Sequence, residues 1–229
     1  NTAPSNTPVL SPTPNAYGWN RAPVDVTFDC ADFLSGIAVH AAPISITAEG
    51  QSQPATGTCV DKAMNPGSSA ALVNLDMTAP IPSYSGDLGT YTVDQTTDST
   101  CSATDNLSGL AGFGDSCSAP PKSTCAPRLG PAYAFAIGTD TDNSFSLAAS
   151  DFADNCATTQ TTFKVLVTYQ SLCNLVQRFS SNSGVADALC QKLFSAQSAP
   201  NQNAKAGKLG AFENLVDAQA GKSMSTDNA

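Results

Sequence analysis

Apolar and polar positions alternate with a period of two along most of the chain, and from about residue 170 the period changes to that of a helix. Val24, Val26, Phe28 and Cys30 alternate with Asp25, Thr27 and Asp29, the pattern of a half-buried strand. Ile44, Ile46 and Ala48 predict another strand, and Ala71, Val73 and Leu75 a third. Further on, the same pattern predicts strands through Tyr133, Phe135 and Ile137, through Phe145, Leu147 and Ala149, and through Phe163, Val165, Val167 and Tyr169. Short strands parted by Gly, Pro, Asn and Asp turns fit an antiparallel sandwich. Leu172, Leu175, Val176 and Phe179 then fall at i, i+3, i+4 and i+7, a helix with Ser171 as its N-cap. Val185, Leu189 and Leu193 predict a second helix after Gly184, and Leu209, Phe212 and Val216 a third that stops at Gly221. Three helices in about 60 residues are marginal alone. Cys173 and Cys190 are placed to staple the first two, contributing roughly 3 kcal/mol.

An internal repeat organises the β part. Thr2-Ala3-Pro4 is followed by Asp32-Phe33-Leu34-Ser35-Gly36 and then by Asp61-Lys62-Ala63-Met64-Asn65. Asp76-Met77-Thr78-Ala79-Pro80 opens the same order again, with Asp105-Asn106-Leu107-Ser108-Gly109 and Asp151-Phe152-Ala153-Asp154-Asn155. The later copy carries more chain between its second and third motifs, so an inserted loop is expected near 112–130. The predicted organisation is one sandwich over 1–79, a second over 80–169 and a helical unit over 170–229.

Composition narrows what such a chain does. Only 13% of residues are charged, the net charge is -9 and the pI is near 4.2, so no basic stripe is available to nucleic acid. No run of 18 apolar residues predicts a membrane span. His40 is the only imidazole and no G-x-S-x-G occurs, so a hydrolase triad has no parts and the expectation is a protein without catalysis. Eight cysteines without a C-x-x-C pair predict disulfides and an extracellular, oxidising setting rather than zinc. Asn1-Thr2-Ala3-Pro4 has neither a basic start nor an apolar core, so the expectation is a mature or excised portion of something longer.

Of the 19 acids only Glu49 and Glu213 are Glu, a bias that suits turns, where Asp bonds nearby backbone amides. Turn capping is the ordinary use of these acids, and no cofactor is required. The alternative is calcium, for which Asp32 with Asp61, and Asp105 with Asp151 and Asp154, are candidates where two motifs converge at one end of a sandwich. Asp140-Thr141-Asp142-Asn143-Ser144 lacks the Gly and the bidentate Glu of an EF-hand loop and reads as a tight hairpin turn. Trp19 and Tyr17 are candidate stacking platforms for sugar, with covering one end of the first sandwich as the plainer role of Trp19.

The V-x-V-x-F-x-C strand, D-x-x-S-G, G-T-C-x-D-x-A-x-N and the closing D-x-T-A-P resemble bacterial Ig-like repeats. These are strung in tandem in secreted and cell-surface proteins, adhesins among them. Residues 171–221 are similar to the FIMAH-type helical unit at the ends of extracellular hydrolases. The resemblance implies a mainly β chain of two tandem Ig-like sandwiches followed by a disulfide-stapled helical unit. It implies a structural or adhesive role as a stalk segment or surface-filament subunit, with other copies or neighbouring Ig-like domains as partners. The alternatives are a module that binds carbohydrate or a host surface, and the accessory end of a secreted hydrolase. Cys30–Cys59 is the natural bridge of the first repeat. Four cysteines in the second allow three connectivities; the expected one pairs Cys101–Cys125, which echoes the relatives, and Cys117–Cys156, which ties the inserted loop to the D-x-A-x-N turn.

Overall fold

The computed structural model describes residues 2–86, 89–117 and 128–225. Alternation is realised most fully in β1 (Ser5–Ser11), β2 (Val24–Ala31), β3 (Ile37–Val39), β4 (Ile44–Ile46), β5 (Gly50–Asp61) and β6 (Pro66–Leu75). They form two sheets, ordered β1-β2-β4 and β3-β5-β6. β2 runs antiparallel to both neighbours, with Val26 opposite Leu10 and Val24 opposite Ile46. That register turns Val24, Val26 and Phe28 inward to meet Ala55 and Val73 of the other sheet, while Asp25, Thr27 and Asp29 stay exposed. A Cβ on Gly57 would lie 2.6 Å from the Phe28 ring, so the ring rests on β5 only because that position is glycine. The Cys30–Cys59 disulfide ties β2 to β5 and hence one sheet to the other.

The second repeat contributes β7 (Ile81–Ser85), β8 (Thr90–Thr92), β9 (Thr96–Thr104), β10 (Leu110–Gly114), β11 (Arg128–Pro131), β12 (Asn143–Asp151) and β13 (Cys156–Leu166). Their sheets are ordered β10-β12-β13-β8 and β11-β9-β7. β10 pairs β12 and β11 pairs β9 antiparallel, while the short β8 joins β13 in parallel. Tyr91, Val93, Phe145, Phe163 and Val165 form an aromatic-rich core. The strand expected through Tyr133, Phe135 and Ile137 is not formed. Ala132–Ala134 makes a single 3-10 turn after Pro131, and the Asn143 side chain takes up both backbone groups of Ala136, at 3.0 and 2.8 Å. Phe135 still reaches the core, with its ring 5.1 Å from that of Phe163. Alternation there marks burial without a ladder. The Asp140–Ser144 segment accordingly leads from irregular chain into β12 instead of closing a hairpin.

Three helices follow, α1 (Tyr169–Phe179), α2 (Ser183–Gln197) and α3 (Gln202–Gln219). The cap of α1 is Thr168, three residues before the expected Ser171. Thr168 Oγ1 accepts the Ser171 amide at 3.0 Å, and Ser171 Oγ accepts the Thr168 amide at 2.9 Å. Leu172 and Leu175 of α1 pack against the aromatic core, and Asn174 and Arg178 reach Asp94 at 2.6 Å each. The small bundle thus shares a core with strands of the second repeat, which relieves its shortage of buried surface. Cys173 and Cys190 join α1 to α2. Among the described residues no helix is long and apolar enough to cross a membrane.

The chain divides into two compact units that cut across the repeats. The first takes the chain up to Ser83, a stretch from Cys101, and Ser146–Thr159. The second takes Tyr84–Thr100, the stretch ending at Phe145, and the chain from Gln160 onward. The whole first sandwich and the loops that close one end of the second repeat therefore belong to the first unit. A Cys117–Cys156 disulfide lies within it. Cys125, and with it the expected Cys101–Cys125 pair, lies outside the described residues, as does most of the inserted loop.

Candidate functional site

Both repeats close one end with the same pair of loops, and the reason is local. In the second repeat Asp105 Oδ1 accepts the amides of Leu107 at 3.1 Å and Gly109 at 2.6 Å, bending the chain into an Asx turn. Gly109 has φ 85°, which a side chain would resist. Asp151 does the same for its own loop, accepting the Ala153 and Asn155 amides on Oδ1 and the Asn155 side-chain amide on Oδ2. The Phe152 amide donates to the Gly109 carbonyl at 3.0 Å, so the two loops lie side by side.

A third carboxylate enters from the segment between the repeats. Asp76 Oδ1 accepts the Thr78 amide at 3.0 Å, Asp76 Oδ2 accepts the Ser108 amide at 2.9 Å, and the Asp76 carbonyl accepts from Asn155 Nδ2 at 2.9 Å. Oxygens of Asp76, Asp105 and Asp151 then lie within 4.8 Å of one another. Asp76 and Asp151 are 0% and 1% exposed. Burial pushes the Asp151 carboxyl above its usual range, and the neighbouring Asp76 charge adds to the rise. Asp105 Oδ2 and Ser108 Oγ are buried without a hydrogen-bond partner.

Of the residues singled out in the sequence, Asp105 and Asp151 converge, whereas Asp154 is exposed and accepts from Asn15 Nδ2 at 2.8 Å. Asp76 takes the third place. The D-x-T-A-P motif that carries it was visible, and its position between two repeats is the signal that it serves both. Asp32 and Asp61 form the equivalent end of the first repeat, and among the described residues no third acid joins them. Asp32 Oδ1 accepts the amides of Leu34, Ser35 and Gly36 and the Ser35 hydroxyl, and Asp61 is held by the backbone and side-chain amides of Asn65. Both carboxyls sit below the usual range, Asp32 chiefly through the Gly36 amide and Asp61 chiefly through the Asn65 side chain.

The remaining candidates lie near the same end. Trp19 is 7% exposed and so shows little face to solvent, while Tyr17 is 59% exposed and meets Phe152 edge-to-face with ring centroids 5.0 Å apart. Asn15 Nδ2 also donates to the Phe152 carbonyl at 2.8 Å, and Arg21 to the Asp154 carbonyl at 3.2 Å. A cleft of about 450 Å³ opens here, lined by Trp19, Asn20, Arg21 and Asp154 among others. His40 is exposed on irregular chain just past β3.

No protein-family model and no curated protein matches the chain. Among solved structures it is similar to the N-terminal four Ig domains of Dscam1 isoform 4.4, at 10% identity over 73% of this chain and 47% of that one, with a TM-score of 0.29. It is also similar to the protocadherin gammaB7 EC3-6 cis-dimer structure, at 14% identity over 72% of this chain and 51% of that one, with a TM-score of 0.28. The chain spans about half the length of each. Among the described residues its class is mainly β, with largely antiparallel sheets, three helices and disulfides.

Proposed function

We propose that the chain is a non-enzymatic structural segment of an extracellular protein, a stalk or filament piece whose first sandwich is tied to an end turn of the second repeat. The observation that carries this reading is the grip of the Asn15–Arg21 loop on the Phe152–Asn155 turn, through the Asn15, Tyr17 and Arg21 contacts. A flexible linker would leave these polar groups to water. Here the loop of one repeat is shaped to the turn of the next, which is what passing a mechanical load requires. Disulfides between sheets, between an end loop and β13, and between helices fit an oxidising exterior and limit extension under load. Other copies of the chain are the first partners to consider, since β1 and β4 edge their sheet and offer unpaired backbone groups.

Pulling single molecules by their ends tests the reading. The first repeat is expected to resist until a distinct rupture, and reducing the Cys30–Cys59 bridge should release a further ~100 Å from its 29-residue separation. Extension at negligible force, with no rupture from the first repeat, would overturn it. The cleft beside Trp19 favours a second reading, a surface that binds carbohydrate on a host or a neighbouring cell. Saturable glycan binding that Trp19→Ala abolishes is its signature.

A further inference from the structure

We propose that Asp76, Asp105 and Asp151, with the Ser108 hydroxyl, form a calcium site that fastens the inter-repeat segment to the end loops of the second repeat. The proposal deepens the structural reading by naming what locks the junction.

Four observations carry it. First, three carboxylates bring oxygens within 4.8 Å of one another, and none forms an ion pair with Lys or Arg among the described residues. Two of the three residues are shut off from solvent, so water does not screen the repulsion. Second, the hydrogen-bond donors nearby are already used and still leave Asp105 Oδ2 and Ser108 Oγ buried without partners. Each exposes less than 1 Å². Ser108 is in place because its own amide is bonded to Asp76 Oδ2. Acceptors left over in a closed, negative setting are what a cation satisfies and what further amides do not.

Third, the first repeat shows the same loops without the need. There Lys62 brings its ammonium within 3.6 Å of where a Gly36 Cβ would stand, and the Ser35 hydroxyl is spent on Asp32. The matching position in the second repeat is Phe152, which lies 3.7 Å from the corresponding point on Gly109. An apolar ring thus stands at the second end where the first has an ammonium.

Fourth, the donor set selects the ion. It is all oxygen, which suits a hard cation and not zinc or copper. Ligands on opposite sides of calcium, each at 2.3–2.6 Å, stand up to about 5 Å apart, whereas around magnesium the limit is about 4.2 Å. Oxygens within 4.8 Å of one another fall inside the larger ion's reach. Calcium sites in extracellular modules bind at roughly 10⁻⁴–10⁻³ M, the range in which this site would fill outside a cell.

The test is titration calorimetry of CaCl₂ into the full chain after chelator treatment, with MgCl₂ as control, alongside melting curves. The expected result is a single site with a dissociation constant of about 10⁻³ M or tighter, weaker magnesium binding and a higher melting temperature in calcium. Asp76→Asn and Asp105→Asn should each weaken binding by at least about tenfold, and Asp32→Asn should leave it unchanged. Should Asp76→Asn fail to fold, Ser108→Ala keeps all three acids and should still weaken calcium binding several-fold. No heat and no melting shift up to about 10 mM calcium overturns the site. So does wild-type affinity in Asp105→Asn, or a loss in Asp32→Asn as large as that in Asp105→Asn. Pulling in chelator separates the two readings: a resistant first repeat in a chain that binds no calcium removes the site and leaves the structural role standing.

Discussion

The loop ends Asp32–Gly36 with Asp61–Asn65 and Asp105–Gly109 with Asp151–Asn155 share a motif and a backbone path, yet differ in electrostatic state. In the first, every acceptor of Asp32 Oδ1 and both oxygens of Asp61 are served from within the loops. In the second, the Ser108 amide is given to Asp76 rather than to its own Asp105, and one oxygen on each of Asp105 and Ser108 is left over. Among the described residues, Asp76 joins the second end and no acid takes its place at the first. Loop geometry is thus set by the Asp-amide bonds common to both ends, and ligand demand is set by what the neighbouring segment inserts.

The strongest way to break that contrast is to delete the added acid. Two unit charges within 4.8 Å of each other in an effective dielectric near 20 repel by at least about 3.5 kcal/mol, so without an ion Asp76 strains the site. With calcium at about 100 times its dissociation constant, the bound state gains about 2.7 kcal/mol. Asp76→Asn should therefore melt lower than the parent in calcium and no lower than the parent in chelator. Differential scanning calorimetry in the two buffers checks the crossing. A variant that is weaker by the same amount in both would show that Asp76 acts only as a hydrogen-bond acceptor.

Phe152→Lys gives the second end what the first already has. The ammonium is expected to weaken calcium binding by at least about tenfold, and the variant also gives up the Tyr17–Phe152 ring contact. The reverse change, Lys62→Phe, leaves the first end with two acids that are each well bonded, so it should neither create a calcium site nor cost more than about 1 kcal/mol. Calorimetric titration of both variants checks the pair.

The ends also differ in sign with pH. Asp32 and Asp61 are held below the usual value of 3.8, so their contribution is present above that value and is lost as pH falls through their lowered folded values. Asp151 is raised, so in chelator the folded form favours the proton, and stability is lost as pH climbs from 3.8 through the raised value. Melting Asp32→Asn and Asp151→Asn against the parent in chelator should give differences of opposite slope. Calcium should remove the Asp151 slope at neutral pH, because the ion requires the ionised form.

Much of this was legible before any coordinates. The β2 alternation and the D-x-x-S-G and D-x-A-x-N turns follow from local chemistry, since an Asp two residues before the amides it captures needs no partner from afar. Tyr133–Ile137 misled because the Ala132 carbonyl, which accepts the Phe135 amide, and the Asn143 side chain, not a neighbouring strand, satisfy that backbone. The cap of α1 moved to Thr168 because a capping box can be read from either of its hydroxyl residues, and only the backbone path decides which lies outside the helix. Asp76 escaped notice as a ligand for a different reason. Its partners are 29 and 75 residues away, and convergence over that distance is a property of the packed repeats.

The finest test of the comparison compares the two serines. Ser35 Oγ donates to Asp32 Oδ1 at 3.1 Å, and its hydroxyl also helps hold the Asp61 carboxyl down. Ser35→Ala should therefore cost about 1 kcal/mol whether or not calcium is present. Ser108 Oγ makes no hydrogen bond. Removing a buried oxygen that has no partner takes away a desolvation penalty and no bond, so in chelator Ser108→Ala should be neutral or slightly stabilising. In calcium the same variant loses a ligand and should become destabilising. Two substitutions of one chemical kind, at matching positions of two repeats, then give a calcium-independent loss at one end and a calcium-dependent change of sign at the other. Equal losses in both buffers would mean that the Ser108 hydroxyl finds a protein partner in solution, and the two ends would then differ only in charge.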